Sequence, residues 1–185
     1  DPEKAKKLLA EAGFPKGFKA KFWSPQGRYP KDYELAQAVQ QQLKKVGIDC
    51  SLETMEWATY LAASNKKPEE SQHELLLLGW SPSTAECWWI IFPLFGTEQW
   101  MPGRNNRSYF SNKELDNLID KFMRATSKAD MDNYLRTAQE LLVKEAACIP
   151  ILVTKETIGY TKKLKGVINS PLELTYFDNK TYLEK

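Results

Sequence analysis

Between Phe18 and Leu52 the hydrophobic period of the chain changes twice. "FKAKFWS" alternates Phe18, Ala20 and Phe22 against Lys19 and Lys21, the two-residue period of a strand. After the loop "SPQGRYP", the residues Leu35, Ala36, Val39, Leu43 and Val46 recur at helical spacing from Lys31 until Gly47 ends them. Ile48, Cys50 and Leu52 then resume a strand. Strand, helix and strand in that order make a β-α-β unit, which directs the chain toward α/β architectures.

The rest of the sequence extends the same alternation. Asp1-Pro2 sets a capping side chain before a proline, and Ala5, Leu8, Leu9 and Ala12 follow at helical spacing to Gly13. Trp57, Tyr60 and Leu61 predict a third helix, closed by "NKKPEE". "LLLLGW" has no polar alternation and predicts a strand buried on both faces. Two helices follow: Ser111 with Glu114, and Ser127 with Asp130, have capping-box spacing. Their stripes are Leu115, Leu118, Ile119, Phe122 and then Tyr134, Leu135, Ala138, Leu141, Leu142. "IPILV" predicts one more strand. The fold class expected is α/β, an open, mostly parallel sheet flanked by helices. From Lys155 the character changes to short β-branched and aromatic pieces broken by Gly159, Gly166 and Pro171, so residues 1–154 read as the α/β body and 155–185 as edge strands or a strap.

Composition removes several functions. The 26 basic and 24 acidic residues are nearly balanced, which argues against nucleic acid as a partner. No window approaches the roughly 18 apolar residues of a membrane span. The start at "DPEKAKK" shows neither an initiator Met nor a signal-peptide pattern and reads as an internal cut or a processed end. Cys50, Cys87 and Cys148 have no metal-ligand spacing and read as small core residues. The single histidine, His73, reads as a surface residue, so neither a zinc site nor a Ser-His-acid triad is expected. No metal, no cofactor and no catalytic residue is assigned.

In open parallel sheets, ligands collect beyond the carboxyl ends of the strands. Two loops qualify. Ser24 to Pro30 holds Gly27 and Arg28, whose guanidinium fork suits a carboxylate. Ser81 to Cys87, between Trp80 and Trp88, offers Ser83, Thr84 and Glu86. Together they suit a small polar or zwitterionic solute held against indole faces. Each assignment has a plainer rival. Arg28 could be a solvated loop arginine, and Glu86 a favourable charge in the first turn of a helix. Trp89 reads as core. Arg104 and Arg107 read as surface residues, although Arg107, just before a helix cap, could line a cleft.

A resemblance rests on seven segments in order: "DPEKAKKLLAEAG", "GRYPKDYELAQAVQQQLKKVGI", "TMEWATYLA", "LLLLGW", "NNRSYFSN", "IPIL" and "KLKGVINSPLEL". The chain resembles the solute-binding proteins of peptide-class ABC importers, family 5, whose members bind dipeptides, oligopeptides, glutathione or nickel. The resemblance implies one lobe, the carboxyl-terminal one, of a two-lobed clamp of type II periplasmic-binding-protein fold. The amino-terminal lobe would be missing, and the tail 155–185 would pack on it. It implies a peptide-like solute, an ABC permease as membrane partner, and a periplasmic or extracellular, membrane-associated full-length protein. A weak dimer through an exposed cleft face is a further expectation.

Ligand residues carry over in part. Dipeptide-binding members place an arginine in the loop that here holds Arg28. They place an acidic residue, for the ligand amine, at the position occupied here by Ser83. The nearest carboxylate is Glu86, and Cys87 stands where many members have a proline. The departure favours a ligand without an exposed cationic end, or one read mainly by the other lobe. Two other classes stay open: an interaction module docking through its tryptophans, and a hydrolase pairing Glu86 with a second acid.

Overall fold

A computed structural model describes residues 1–82, 84, 86–155, 157–170 and 174–185, with the side chains of Asn169 and Leu174 left aside. The chain divides into two compact units, Asp1–Gly79 with Thr97–Phe110, and Trp80–Gly96 with Ser111–Lys185.

The first unit contains the β-α-β element. Helix α1 (Pro2–Glu11) is capped by Asp1, whose carboxylate accepts the Lys4 N–H at 2.9 Å. Strand β1 (Phe18–Pro25), helix α2 (Asp32–Lys45) and strand β2 (Ile48–Met55) follow, with β1 and β2 parallel in register from Phe18 opposite Ile48 to Pro25 opposite Met55. Helix α3 is Trp57–Ser64 and β3 is Leu75–Leu76, giving a parallel sheet in the order β2-β1-β3. Ala20, Phe22, Ala36 and Cys50 form the buried core under α2, with Val39, Leu43, Ile48, Leu52, Leu75 and Leu77 packed against it.

The strand covered on both faces is therefore β1, not the leucine run. Phe22 and Trp23 are neighbours that point to opposite faces, and both are buried. Leu75 to Leu78 are only half-buried, because among the described residues β3 is the sheet's edge and pairs with β1 alone. The leucine run is extended mainly by a further bond from Leu77 N–H to the Trp23 carbonyl. His73 also departs from expectation: its ring lies 4.9 Å from the Trp23 ring and 6.5 Å from Tyr109, and it is half-buried. The apolar surface of Trp23 draws the imidazole in from its polar surroundings.

In the second unit, α4 (Trp88–Phe95), α5 (Lys113–Arg124) and α6 (Lys128–Lys144) are joined by two antiparallel pairs. These are β4 (Leu164–Lys165) with β7 (Tyr182–Leu183), and β5 (Ile168–Ser170) with β6 (Leu174–Tyr176). Leu115 and Ile119 of α5 are buried, as are Ala138, Leu141 and Leu142 of α6, as their stripes predict. Ser127 caps α6, accepting the Asp130 N–H, whereas α5 is capped by Asn112 and not Ser111: the Asn112 side chain accepts the N–H groups of Glu114 and Leu115.

The strand expected at "IPILV" is absent. Ile149, Ile151, Leu152 and Val153 are exposed, Val153 to 96%. A strand needs a neighbour to take its backbone groups, and no described hydrogen-bond ladder reaches this segment. Of the cysteines, Cys50 is buried in the sheet, but Cys87 at the start of α4 and Cys148 beside the unpaired segment are exposed; all three are free thiols. The break assigned to Pro171 lies outside the described residues.

Candidate functional site

The loop after β1 is held by one side chain. Asp32, 3% exposed at the start of α2, accepts the N–H groups of Gly27 and Tyr33 on Oδ1 and those of Arg28 and Tyr29 on Oδ2, at 2.9 to 3.1 Å. Burial works to raise its pKa, but the four backbone donors together outweigh it and hold the carboxyl below its ordinary value. Gly27 takes φ +81°, a left-handed turn that a glycine adopts without strain.

That loop presents Arg28 on an aromatic surface. The guanidinium carbon lies 5.0 Å from the Tyr29 ring centroid and 5.3 Å from that of Trp57, within cation–π range. Tyr29 meets Trp57 edge-on at 6.1 Å, and Trp57 stacks on Tyr60 at 5.7 Å. The Tyr29 hydroxyl donates to the Gly79 carbonyl and accepts the Gly79 N–H at 2.9 Å. Gly79 has to be small here, since a Cβ would come within 2.8 Å of the Tyr29 ring. Tyr60 is fully buried, and its hydroxyl donates to the Leu77 carbonyl at 2.8 Å. Burial pushes its pKa well up.

Arg107 belongs to the same unit and is half-buried. Its Nε donates to Ser64 Oγ at 3.1 Å, and burial lowers its pKa from the ordinary arginine value. Arg104, read as a surface residue, is exposed. Arg28 thus lies over Trp57 at the start of α3, whereas Arg107 bonds to Ser64 at its end, where the Tyr60, Tyr109 and Tyr29 hydroxyls favour its charge against the effect of burial.

The second unit carries the tryptophan loop. Trp80 is 38% exposed, and its indole N–H donates to the Trp89 carbonyl at 2.6 Å. Trp88 is half-buried, stacked 5.0 Å from Phe92 and 4.4 Å from Phe122. Trp89, expected in the core, is 43% exposed. Helix phase explains the exchange: with Trp88 turned onto Phe92 one turn ahead, the adjacent residue rotates about 100° away. Thr84 and Glu86 are exposed, joined by a hydrogen bond of 3.3 Å from Thr84 Oγ1. Ser83 lies outside the described residues.

Asp32, Tyr29, Trp57 and Tyr60 were not singled out as site residues by sequence. A signal existed for Asp32, an acid at a helix start five residues after a loop glycine. No sequence signal marks the aromatic group, which depends on α3 lying beside the sheet. Hollows of about 300 Å³ at Lys121, Arg124 and Tyr134 and of about 430 Å³ at Arg136 and Val143 involve none of the candidate residues. Among the described residues, no group of three His, Cys, Asp or Glu side chains is arranged to hold a metal ion.

A parallel α/β sheet flanked by helices, as here, is that of periplasmic binding proteins of type II fold. The model for bacterial extracellular solute-binding proteins, family 5 Middle, matches residues 1–102, and the chain belongs to this family. It is 33% identical over 167 residues to the glutathione-binding protein GsiB of Escherichia coli strain K12, a match covering 90% of this chain and 32% of GsiB. The dipeptide-binding protein of Pseudoalteromonas sp. SM9913, solved with Met-Leu, superposes with TM-score 0.77 at 26% identity, covering 95% of this chain and 34% of that one. DppA of Helicobacter pylori, solved with the peptide STSA, gives 0.69 at 29% identity, covering 79% and 27%. The chain thus spans about a third of the length of the curated relatives it matches.

Proposed function

We propose that the chain is one lobe of a two-lobed clamp that captures a peptide-like solute and delivers it to the membrane permease of an ABC importer, in the periplasm or extracellular space. The family match over residues 1–102 carries this reading. The relatives named for glutathione, Met-Leu and STSA add the solute class. Its role is binding and not catalysis, with affinity completed when the lobes close.

Arg28 and Gly27 belong to the solute-facing loop of the first unit, and Arg107 is a second cation there. Trp80, Ser83, Thr84, Glu86 and Trp88 form the proposed wall of the second. Support for Arg28 comes from its exposed guanidinium, laid on Tyr29 and Trp57. Support for Trp80 comes from its exposed ring, fixed by the bond to Trp89. The tail 155–185 packs on the other lobe, a reading favoured by exposed Tyr176, Phe177, Tyr182 and Leu183.

Titration calorimetry on the full-length protein with Met-Leu, glutathione and mixed tripeptides tests the proposal. Micromolar or tighter binding is expected, and Trp80→Ala should weaken it about tenfold without moving Tm. No heat and no thermal shift with any of these solutes overturns it.

A further inference from the structure

The Arg28 side chain is exposed, and among the described residues its guanidinium makes no hydrogen bond and no salt bridge. Ring contact alone orients it, 5.0 Å from the Tyr29 centroid and 5.3 Å from that of Trp57. An arginine that turns freely loses side-chain entropy when a ligand fixes it, and a platform that orients it beforehand reduces that loss. Where the two rings stand therefore decides where the guanidinium points.

The Trp57 ring belongs to α3 and stacks on the buried Tyr60. The Tyr29 ring stands on a loop, and three contacts fix it. At its base the Tyr29 N–H donates to Asp32 Oδ2 at 3.0 Å. Along its side it meets Trp57 edge-on at 6.1 Å. At its tip the hydroxyl accepts the Gly79 N–H at 2.9 Å and donates to the Gly79 carbonyl at 3.2 Å. A Cβ on Gly79 would lie 2.8 Å from Tyr29 Cε1 and 2.9 Å from Cζ, so the ring edge as well as the hydroxyl rests on this backbone. Gly79 is exposed, and water can take over its N–H and carbonyl if the hydroxyl is lost. The clasp thus adds little to stability, and its main effect falls on the freedom of the Tyr29 ring to turn.

We propose that Tyr29 is a positioning residue: its hydroxyl, clasped by the Gly79 backbone, fixes the ring that holds the Arg28 guanidinium ready for the solute. The proposal rests on the solute-binding reading above and deepens it.

Titration calorimetry on the full-length protein with Met-Leu, glutathione and mixed tripeptides reads the effect. Tyr29→Phe keeps the ring and removes the clasp; it should weaken binding about three- to tenfold, the range for one lost hydrogen bond, and move Tm by less than about 2 °C. Gly79→Ala disturbs the clasp from its other side and should weaken binding at least as much. A double-mutant cycle separates positioning from a structural role. In an Arg28→Ala background, Tyr29→Phe should change affinity less than about twofold, since nothing is left for the ring to orient. Arg28→Lys supplies a second background, because a flexible ammonium depends little on the plane beneath it, and the same limit applies. A merely structural Tyr29 would cost the same factor in every background, which overturns the proposal. Unchanged affinity of Tyr29→Phe also overturns it and leaves the solute-binding reading intact. If none of these solutes binds the unmodified protein, that reading falls and this one falls with it.

Discussion

Asp32 Oδ2 accepts the backbone N–H of Arg28 at 2.9 Å, so the residue that anchors the loop and the residue proposed to meet the solute are joined through the main chain. Three more N–H groups end on the same carboxylate. Asp32→Ala strands these donors and should cost about 1–3 kcal/mol of stability. Asp32→Asn, which keeps one acceptor oxygen, should cost less. Because the folded carboxyl titrates below its ordinary value of 3.8, its stabilisation is present above that pH and is lost as pH falls through the lower folded value. Urea midpoints between pH 5 and pH 2 check this: Asp32→Ala should flatten the acid limb, and an unchanged limb would refute the assignment.

Gly17 and Gly47 fix the start of the parallel pair. Gly17 has φ +73°, and a Cβ there would land on the Gly47 carbonyl, whose oxygen accepts the Phe18 N–H at 3.2 Å. Gly13 also has positive φ, +88°, but faces open space. Gly17→Ala should therefore cost about 2–4 kcal/mol, strain and overlap together, and Gly13→Ala about 1–2 kcal/mol from strain alone. Chemical denaturation of both variants tests the difference; equal losses would mean that the close approach of the two glycines does not matter.

The adjacent tryptophans should separate in stability measurements. Trp88→Ala removes a ring stacked on Phe92 and Phe122 and should cost about 3 kcal/mol. Trp89→Ala removes an exposed ring and should cost less than about 1 kcal/mol, since the bond from Trp80 goes to the Trp89 backbone. A larger loss for Trp89→Ala would reverse the helix phase described above.

His73, the single histidine, gives a clean titration probe. Burial lowers its pKa below the ordinary 6.5, opposed by the bond to the Arg107 carbonyl and by Glu74 and aided by the Arg107 charge. The folded state therefore favours neutral imidazole. Its contribution is complete above pH 6.5 and declines as pH falls through the folded value. NMR of the imidazole protons should place the folded pKa below 6.5, and His73→Gln should remove the corresponding slope in stability. A folded value above 6.5 would contradict the packing on Trp23.

The amphipathic stripes of α2, α5 and α6 and the alternation in β1 were legible because each is a local period that marks its own buried face. The loop holding Arg28 was legible for a related reason, as it follows a recognisable strand. The misreadings involve partners distant in the chain. "IPILV" has strand composition but no described strand beside it, and the leucine run became an edge because the sheet order sets β1 between β2 and β3.

What the sequence determined alone was the succession of elements and their inward faces, together with the family to which the segments belong. Tertiary structure decided which strand is central, which of Trp88 and Trp89 packs inward, and that Arg28 rests on the Tyr29 and Trp57 rings while Arg107 bonds to Ser64. Periodicity is written over a few residues and acts through the local backbone, whereas burial and ring contacts depend on groups brought together from distant segments, as Arg28 with Trp57 and Ser64 with Arg107, and no local pattern encodes those meetings.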